Sequence, residues 1–196
     1  MILHDITKDI VTAPVYSGDP LTNFEWVKRM DCDDEYNLSK IKFGMHTGTH
    51  VDAPKHFIDD GATVNELALS RFFGPCTVVT ITGVLTGDDM ENLLPFCKKK
   101  IIFHSEGTAT LSSSAVFILA DYEIGLVGTD GMSIAFENEE TKVHRELALN
   151  DIIVLESLDL TGIPDGDYTL AAFPIKVDGA EAAPVRAVLL EQEKGL

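Results

Sequence analysis

Between His46 and Phe57 the chain reads HTGTHVDAPKHF, and this stretch holds three of its six histidines. His46, His50, Asp52 and His56 all sit at even-numbered positions. Side chains alternate faces along an extended strand, so this spacing predicts that all four emerge on one side. A helix would bring His46 and His50 together but rotate Asp52 away. Thr47, Thr49 and Val51 favour an extended backbone. Gly48 falls between the two histidines on that face, where the missing side chain would leave room for an ion. Pro54 has no amide proton and is expected to end the strand, which puts His56 in the turn beyond. Imidazole and carboxylate together suit Zn2+, Mn2+ or Fe2+. No cysteine is near, which disfavours a closed structural zinc site. Three protein ligands with one open position are what hydrolytic metal catalysis requires. The competing interpretation is a solvated turn with a capping aspartate.

A second group lies in ETKVHRELALNDIIVLE, residues 140–156. His144 sits mid-helix, and Glu156 closes the apolar run IIVLE. A carboxylate at the end of a buried run is costly to ionise unless something positive compensates it. Strand ends in α/β sheets are also where ligands commonly sit. Taken alone, a histidine in the middle of a helix is more often exposed.

These residues need elements to position them. Residues 38–45 (LSKIKFGM) alternate polar and apolar side chains as a half-buried strand does. Asp59-Asp60-Gly61 signals a turn, and Thr63 with Glu66 fits a capping box for a short helix. Beyond Gly74, the runs CTVVTI, IIFHS, LVGTD and IIVLES are of the buried-strand type. Helix-like segments at 88–96, 112–122 and 140–149 lie between them, and YTLAAFPI and APVRAVLLE near the end are again strand-like. Alternating strands and helices predict an α/β fold. The expected architecture is a single domain over residues 1–196 with mixed sheets.

The chain has 196 residues, 45% hydrophobic and 24% charged, enough for a core without disulfides. Its formal charge is −17, and Lys98-Lys99-Lys100 is its one short basic run. Nucleic-acid and anionic-membrane partners are therefore disfavoured. Cys32, Cys76 and Cys97 form no C-x-x-C pair and read as reduced thiols, Cys76 as a buried small hydrophobe. The N-terminus MILHDITKDIV shows no secretory signal, and no apolar run approaches the roughly 20 residues of a membrane helix. A cytoplasmic protein is expected. The acidic run 31–35 lacks the ordered positions of a calcium loop and reads as solvated, while His104 reads as structural and His4 as a surface or core residue of the first strand.

The pattern H-x-G-T-H-x-D-x-P-x-H-F, with a helix histidine and a strand-end glutamate far downstream, resembles the cyclase-like metal-dependent hydrolases. Bacterial kynurenine formamidases and isatin hydrolase belong to that family. Ser17-Gly18-Asp19, GTDGMS at 128–133 and Ala183-Pro184-Val185-Arg186 extend the resemblance over most of the chain. It implies a swivelling β/β/α fold and His46, His50 and Asp52 as metal ligands. Asp52 would bridge to a second ion completed by His144 and Glu156. The metal would be zinc, as one or two ions, or manganese, and His56 a proton-transfer group or extra ligand. A homodimer or homotetramer acting on a small-molecule amide is implied, with N-formylkynurenine of tryptophan catabolism foremost. Tyr16 stands where kynurenine formamidases usually carry tryptophan, and Ala135 where an aspartate commonly follows Ser133 by two positions. Tyr16 could stack on an aryl ring. Ser133 and Asp130 could line the pocket, although Thr129-Asp130-Gly131 equally spells a turn. Hydrolysis of another or a cyclic amide, and metal-dependent binding without catalysis, are the alternatives. His56, which a purely structural site would not need, speaks against the last.

Overall fold

The four apolar runs lie side by side at the centre of the computed structural model, which describes residues 1–191. They form parallel neighbours in the order β5 (Phe73–Thr80), β7 (Lys100–His104), β9 (Leu126–Thr129) and β10 (Ile153–Glu156). Parallel strands need crossovers, and α1 (Gly87–Leu93), α2 (Ser113–Asp121) and α3 (Glu140–Leu149) provide one for each successive pair. Thr86 and Ser112 cap the first two helices. Two short strands, β6 (Val84–Leu85) and β8 (Thr110–Leu111), pair just ahead of them. The first helix stops at Leu93 and tightens into a 3-10 turn through Pro95, which has no amide proton to continue it.

The central strands are continuously apolar because both sheet faces are covered. Ile101, Phe103, Val127 and Val154 pack beneath the helices with Leu119, Val143 and Leu147. Cys76, Val78, Ile102, Leu126, Ile153 and Leu155 pack on the other side with Ile6, Phe72 and Leu158. Antiparallel strands extend the sheet at both edges. Beyond β5 lie β11 (Gly166–Ala171), β13 (Val188–Glu191) and β1 (Ile2–Asp5). Beyond β10 lie β4 (His50–Asp52) and β12 (Ala182–Pro184). The nine-stranded mixed sheet with its helical layer is the α/β class expected.

Three expectations require correction. Residues 38–45 do supply a strand, β3 (Leu38–Lys42), but it is exposed along its whole length. It pairs with β2 (Asn23–Lys28) in a separate two-stranded ribbon, and no layer covers it among the described residues. The stretch from His46 to Asp52 is likewise not one extended strand. His46 lies in a turn, extended pairing covers only His50–Asp52, and Gly48 is left-handed at φ +66°. A Cβ on Gly48 would lie 3.4 Å from Ile10 Cα and from the Lys8 carbonyl oxygen. The glycine thus admits the N-terminal segment rather than leaving space for an ion. Pro54 ends the strand as anticipated and opens the 3-10 turn Pro54–His56. The capping box of Thr63 and Glu66 is formed, over the single 3-10 turn Val64–Glu66.

Candidate metal centre

Strand register assembles the site. Side chains alternate across a strand, so Glu156 shares the face of Val154, the face covered by the helices. In the antiparallel pairing of β10 with β4, Glu156 lies opposite His50 and Val154 opposite Asp52. Directly opposed residues share a face, so His50, Asp52 and Glu156 all point towards α3. The buried stripe of α3 carries Val143, His144 and Leu147. His144 is therefore 4% exposed, against the expectation for an isolated helix histidine, and His50, Asp52 and Glu156 are 2%, 6% and 4% exposed. His46 arrives from the turn before β4 and His56 from the turn after it, their rings 4.2 Å apart.

Two groups of three donors result, His46 with His50 and Asp52, and Asp52 with His144 and Glu156, each with its donor atoms within 4.8 Å of one another. Asp52 belongs to both. Its Oδ1 is 3.1 Å from His46 Nδ1 and 3.5 Å from His50 Nε2, and its Oδ2 is 3.9 Å from His144 Nε2. Glu156 Oε1 is 3.1 Å from His144 Nε2 and accepts from the Ile134 amide at 2.8 Å. Glu156 Oε2 is 3.6 Å from His50 Nε2. His50 Nδ1 lies 2.8 Å from the Gly48 carbonyl oxygen, and His144 Nδ1 lies 3.0 Å from that of Glu140. A carbonyl only accepts, so Nδ1 donates in both rings and Nε2 is the atom that can exchange a proton for a cation.

His50 Nε2 and both Asp52 carboxylate oxygens are buried without a hydrogen-bond partner among the described residues. Unpaired buried polar atoms are costly, and three so close together would be compensated by a divalent cation held among His50, Asp52 and their neighbours. The donor set therefore fits a metal ion.

Burial alone would push His50 and His144 down, but the carboxylates of Glu156 and Asp52 outweigh it and hold each at about 9. His46 is raised too, Asp52 outweighing its burial. Burial raises the Asp52 carboxyl, yet its contact with His46 and the charges of His50 and His56 hold it well below the usual range. Burial and the Asp52 charge would raise Glu156, yet its hydrogen bond with His144 and the nearby His50 ring outweigh them and lower it. His56 moves the opposite way from the other site histidines. Burial, with the charges of His46 and His144, outweighs the pull of Asp52 and keeps it below its ordinary value.

A histidine raised from 6.5 to about 9 adds stability fully present below 6.5 and lost as pH rises through 9. The lowered carboxylates add stability lost only in acid. Metal-free protein is thus expected to melt at falling temperatures between about pH 6 and about pH 9, with added Zn2+ reversing most of the fall as it replaces the departing protons. A flat profile in thermal melts of chelator-treated protein would contradict the raised values.

The cluster opens into a cavity of about 210 Å³ bordered by Pro14, Tyr16, Asp19, Phe57, Met132 and Glu140. Tyr16 donates its hydroxyl to Glu140 Oε2 at 2.7 Å, and this bond pushes the phenol up to about 12, so it stays protonated. Ser133 does not border this cavity. It lies in an adjoining cleft with Asp130 and Ala135, and Tyr16 and Met132 border both. Asp130 accepts from the Ser105 amide and hydroxyl and from the amides of Glu106 and Gly107, so it shapes that loop. His104 Nδ1 is 3.2 Å from the Ile163 carbonyl oxygen, and His4 pairs with Glu191. Two nearby carboxylates, Glu140 and Glu181, carried no signal in local spacing.

Gly61 supports the turn that carries His56. A Cβ there would lie 2.7 Å from the Pro54 carbonyl carbon and 2.8 Å from the Lys55 amide nitrogen, both backbone atoms. Gly61→Ala is expected to displace that turn and His56 with it, destabilising the fold by about 1–3 kcal/mol. Unchanged thermal melting would show that the turn yields freely.

Residues 4–135 match the family model described as "Putative cyclase". Over 206 aligned residues the chain is 34% identical to a kynurenine formamidase of Salinibacter ruber, covering 96% of this chain and 97% of that one. A solved potential metal-dependent hydrolase with cyclase activity superposes with a TM-score of 0.83 at 28% identity, covering 98% of each chain. An isatin hydrolase bound to the product analogue thioisatinate shares the fold with a TM-score of 0.86 at 18% identity, over 97% of this chain and 92% of its own.

Proposed function

The chain belongs to the cyclase family of metal-dependent hydrolases, and from that premise we propose that it hydrolyses N-formylkynurenine to kynurenine and formate. The proposed ligands are His46, His50, Asp52, His144 and Glu156, holding one or two Zn2+ ions or Mn2+. Asp52 carries the reading, as the carboxylate shared by both donor groups whose oxygens are buried and unpaired among the described residues. A divalent ion there supplies an acidified water and a polarised substrate carbonyl.

The remaining work falls to side chains. His56 is held below its ordinary pKa, so its imidazole is neutral near pH 7 and ready to accept a proton from the attacking water. The same imidazole then delivers that proton to the leaving aryl nitrogen. Tyr16, its hydroxyl fixed by Glu140, presents a rigid ring at the mouth where the substrate's aryl ring can stack. Ser133 reaches the substrate only if part of it extends into the adjoining cleft.

The test is turnover of N-formylkynurenine beside a panel of cyclic amides such as isatin, with bound metal measured in parallel. Formate release from N-formylkynurenine supports the proposal. Turnover of cyclic amides alone would replace it with ring opening, and full metal loading without turnover would leave a binding protein.

A homodimer or homotetramer and a cytoplasmic location complete the reading. No helix among the described residues is long and apolar enough to cross a membrane. The ribbon of β2 and β3 leaves Phe24, Trp26 and Val27 at least 43% exposed, a surface suited to a second copy. Sedimentation should give a dimer or larger, and Trp26→Glu should shift it towards monomer. A monomeric wild type would overturn the assembly.

A further inference from the structure

We infer that Glu181 is a positioning residue that orients His46 and raises its basicity as a ligand, an inference that rests on the metal-binding reading above. The three ligand histidines follow one pattern. Each turns one ring nitrogen towards the carboxylate cluster and has an oxygen facing the other. For His50 and His144 that oxygen is a backbone carbonyl, of Gly48 and of Glu140, within hydrogen-bond distance. His46 turns Nδ1 to Asp52 Oδ1 at 3.1 Å, and its opposite nitrogen, Nε2, lies 3.4 Å from Glu181 Oε1.

His46 has the greatest need of such a partner. It comes from a turn rather than a strand or helix, and its side chain is 18% exposed. Glu181 is placed by the element next to the site. Its carbonyl oxygen accepts from the Ala53 amide at 2.8 Å, and the next residue, Ala182, pairs with Asp52. Asp52 and Glu181 are therefore held in register on either side of the His46 ring. Among the described residues the Glu181 side chain has no other ion pair or hydrogen bond, so nothing else explains its direction. A carboxylate accepts more strongly than a carbonyl, and a carboxylate behind a metal-binding imidazole fixes the ring and strengthens its remaining lone pair.

The test is titration of metal-free protein with Zn2+ against a chromophoric chelator, for wild type, Glu181→Ala and Glu181→Gln. Glu181→Ala should weaken the binding of one Zn2+ by about 10- to 100-fold. Glu181→Gln, which keeps an oxygen acceptor without the charge, should fall between. Melting of the metal-free variants should match wild type. Equal Zn2+ affinity in all three proteins, or a loss that tracks lowered melting temperature, would overturn the positioning role. Absence of Zn2+ binding in the wild type would instead overturn the metal reading and this inference with it.

Discussion

Asp52→Asn is expected to abolish metal binding by the proposed ligands and to reduce kcat/KM by about 10³-fold or more. The residue is the one donor common to both groups, so no ion can be bound at either position with its full ligand set once the charge is removed. A metal ion contributes several kcal/mol of charge stabilisation in hydrolysis, and each ~1.4 kcal/mol is tenfold in rate. Asparagine keeps the shape, so the effect is separable from misfolding. It also removes the negative charge that supports raised values for His46, His50 and His144. Metal content and circular dichroism on the same sample decide the matter. A folded variant that retains its metal and most of its turnover would show that the ligands lie elsewhere.

His56→Ala is the second large effect, and it should separate chemistry from binding. Loss of a general acid–base group lowers kcat by about 10²- to 10⁴-fold. His56 lies beside the cluster rather than inside either donor group, so metal content should stay at the wild-type level. Its lowered pKa is also the direction a proton acceptor at neutral pH requires. A parallel loss of metal would make His56 an additional ligand, the other role implied by the family resemblance. Unchanged kcat with full metal would remove it from the reaction.

The central strands were legible because their two covered faces leave an unbroken apolar run in each, and the three crossover helices followed from their spacing. The even-numbered run from His46 to His56 marked residues that the structure brings together, for only part of the expected reason. Parity holds for His50 and Asp52, which share a strand face. His46 and His56 are brought in by turns on either side. The left-handed turn at Gly48 answers to the passage of residues 8–13, a contact with no local signature. The exposed ribbon had the alternation of a half-buried strand and lacked only a layer to bury it. Register is invisible to spacing as well. Nothing in IIVLE states that Glu156 pairs with His50, and nothing near Pro184 indicates that Glu181 reaches His46. His144 and Glu156 could be suspected from their places on a helix and at a strand end, but only the sheet and α3 bring them onto Asp52.

The most direct measurement is hydrolysis of N-formylkynurenine by chelator-stripped protein before and after restoration with Zn2+ or Mn2+. Stripped protein should be inactive, with turnover returning in proportion to the metal bound. Full turnover by protein shown to be metal-free would contradict metal-dependent hydrolysis at this site.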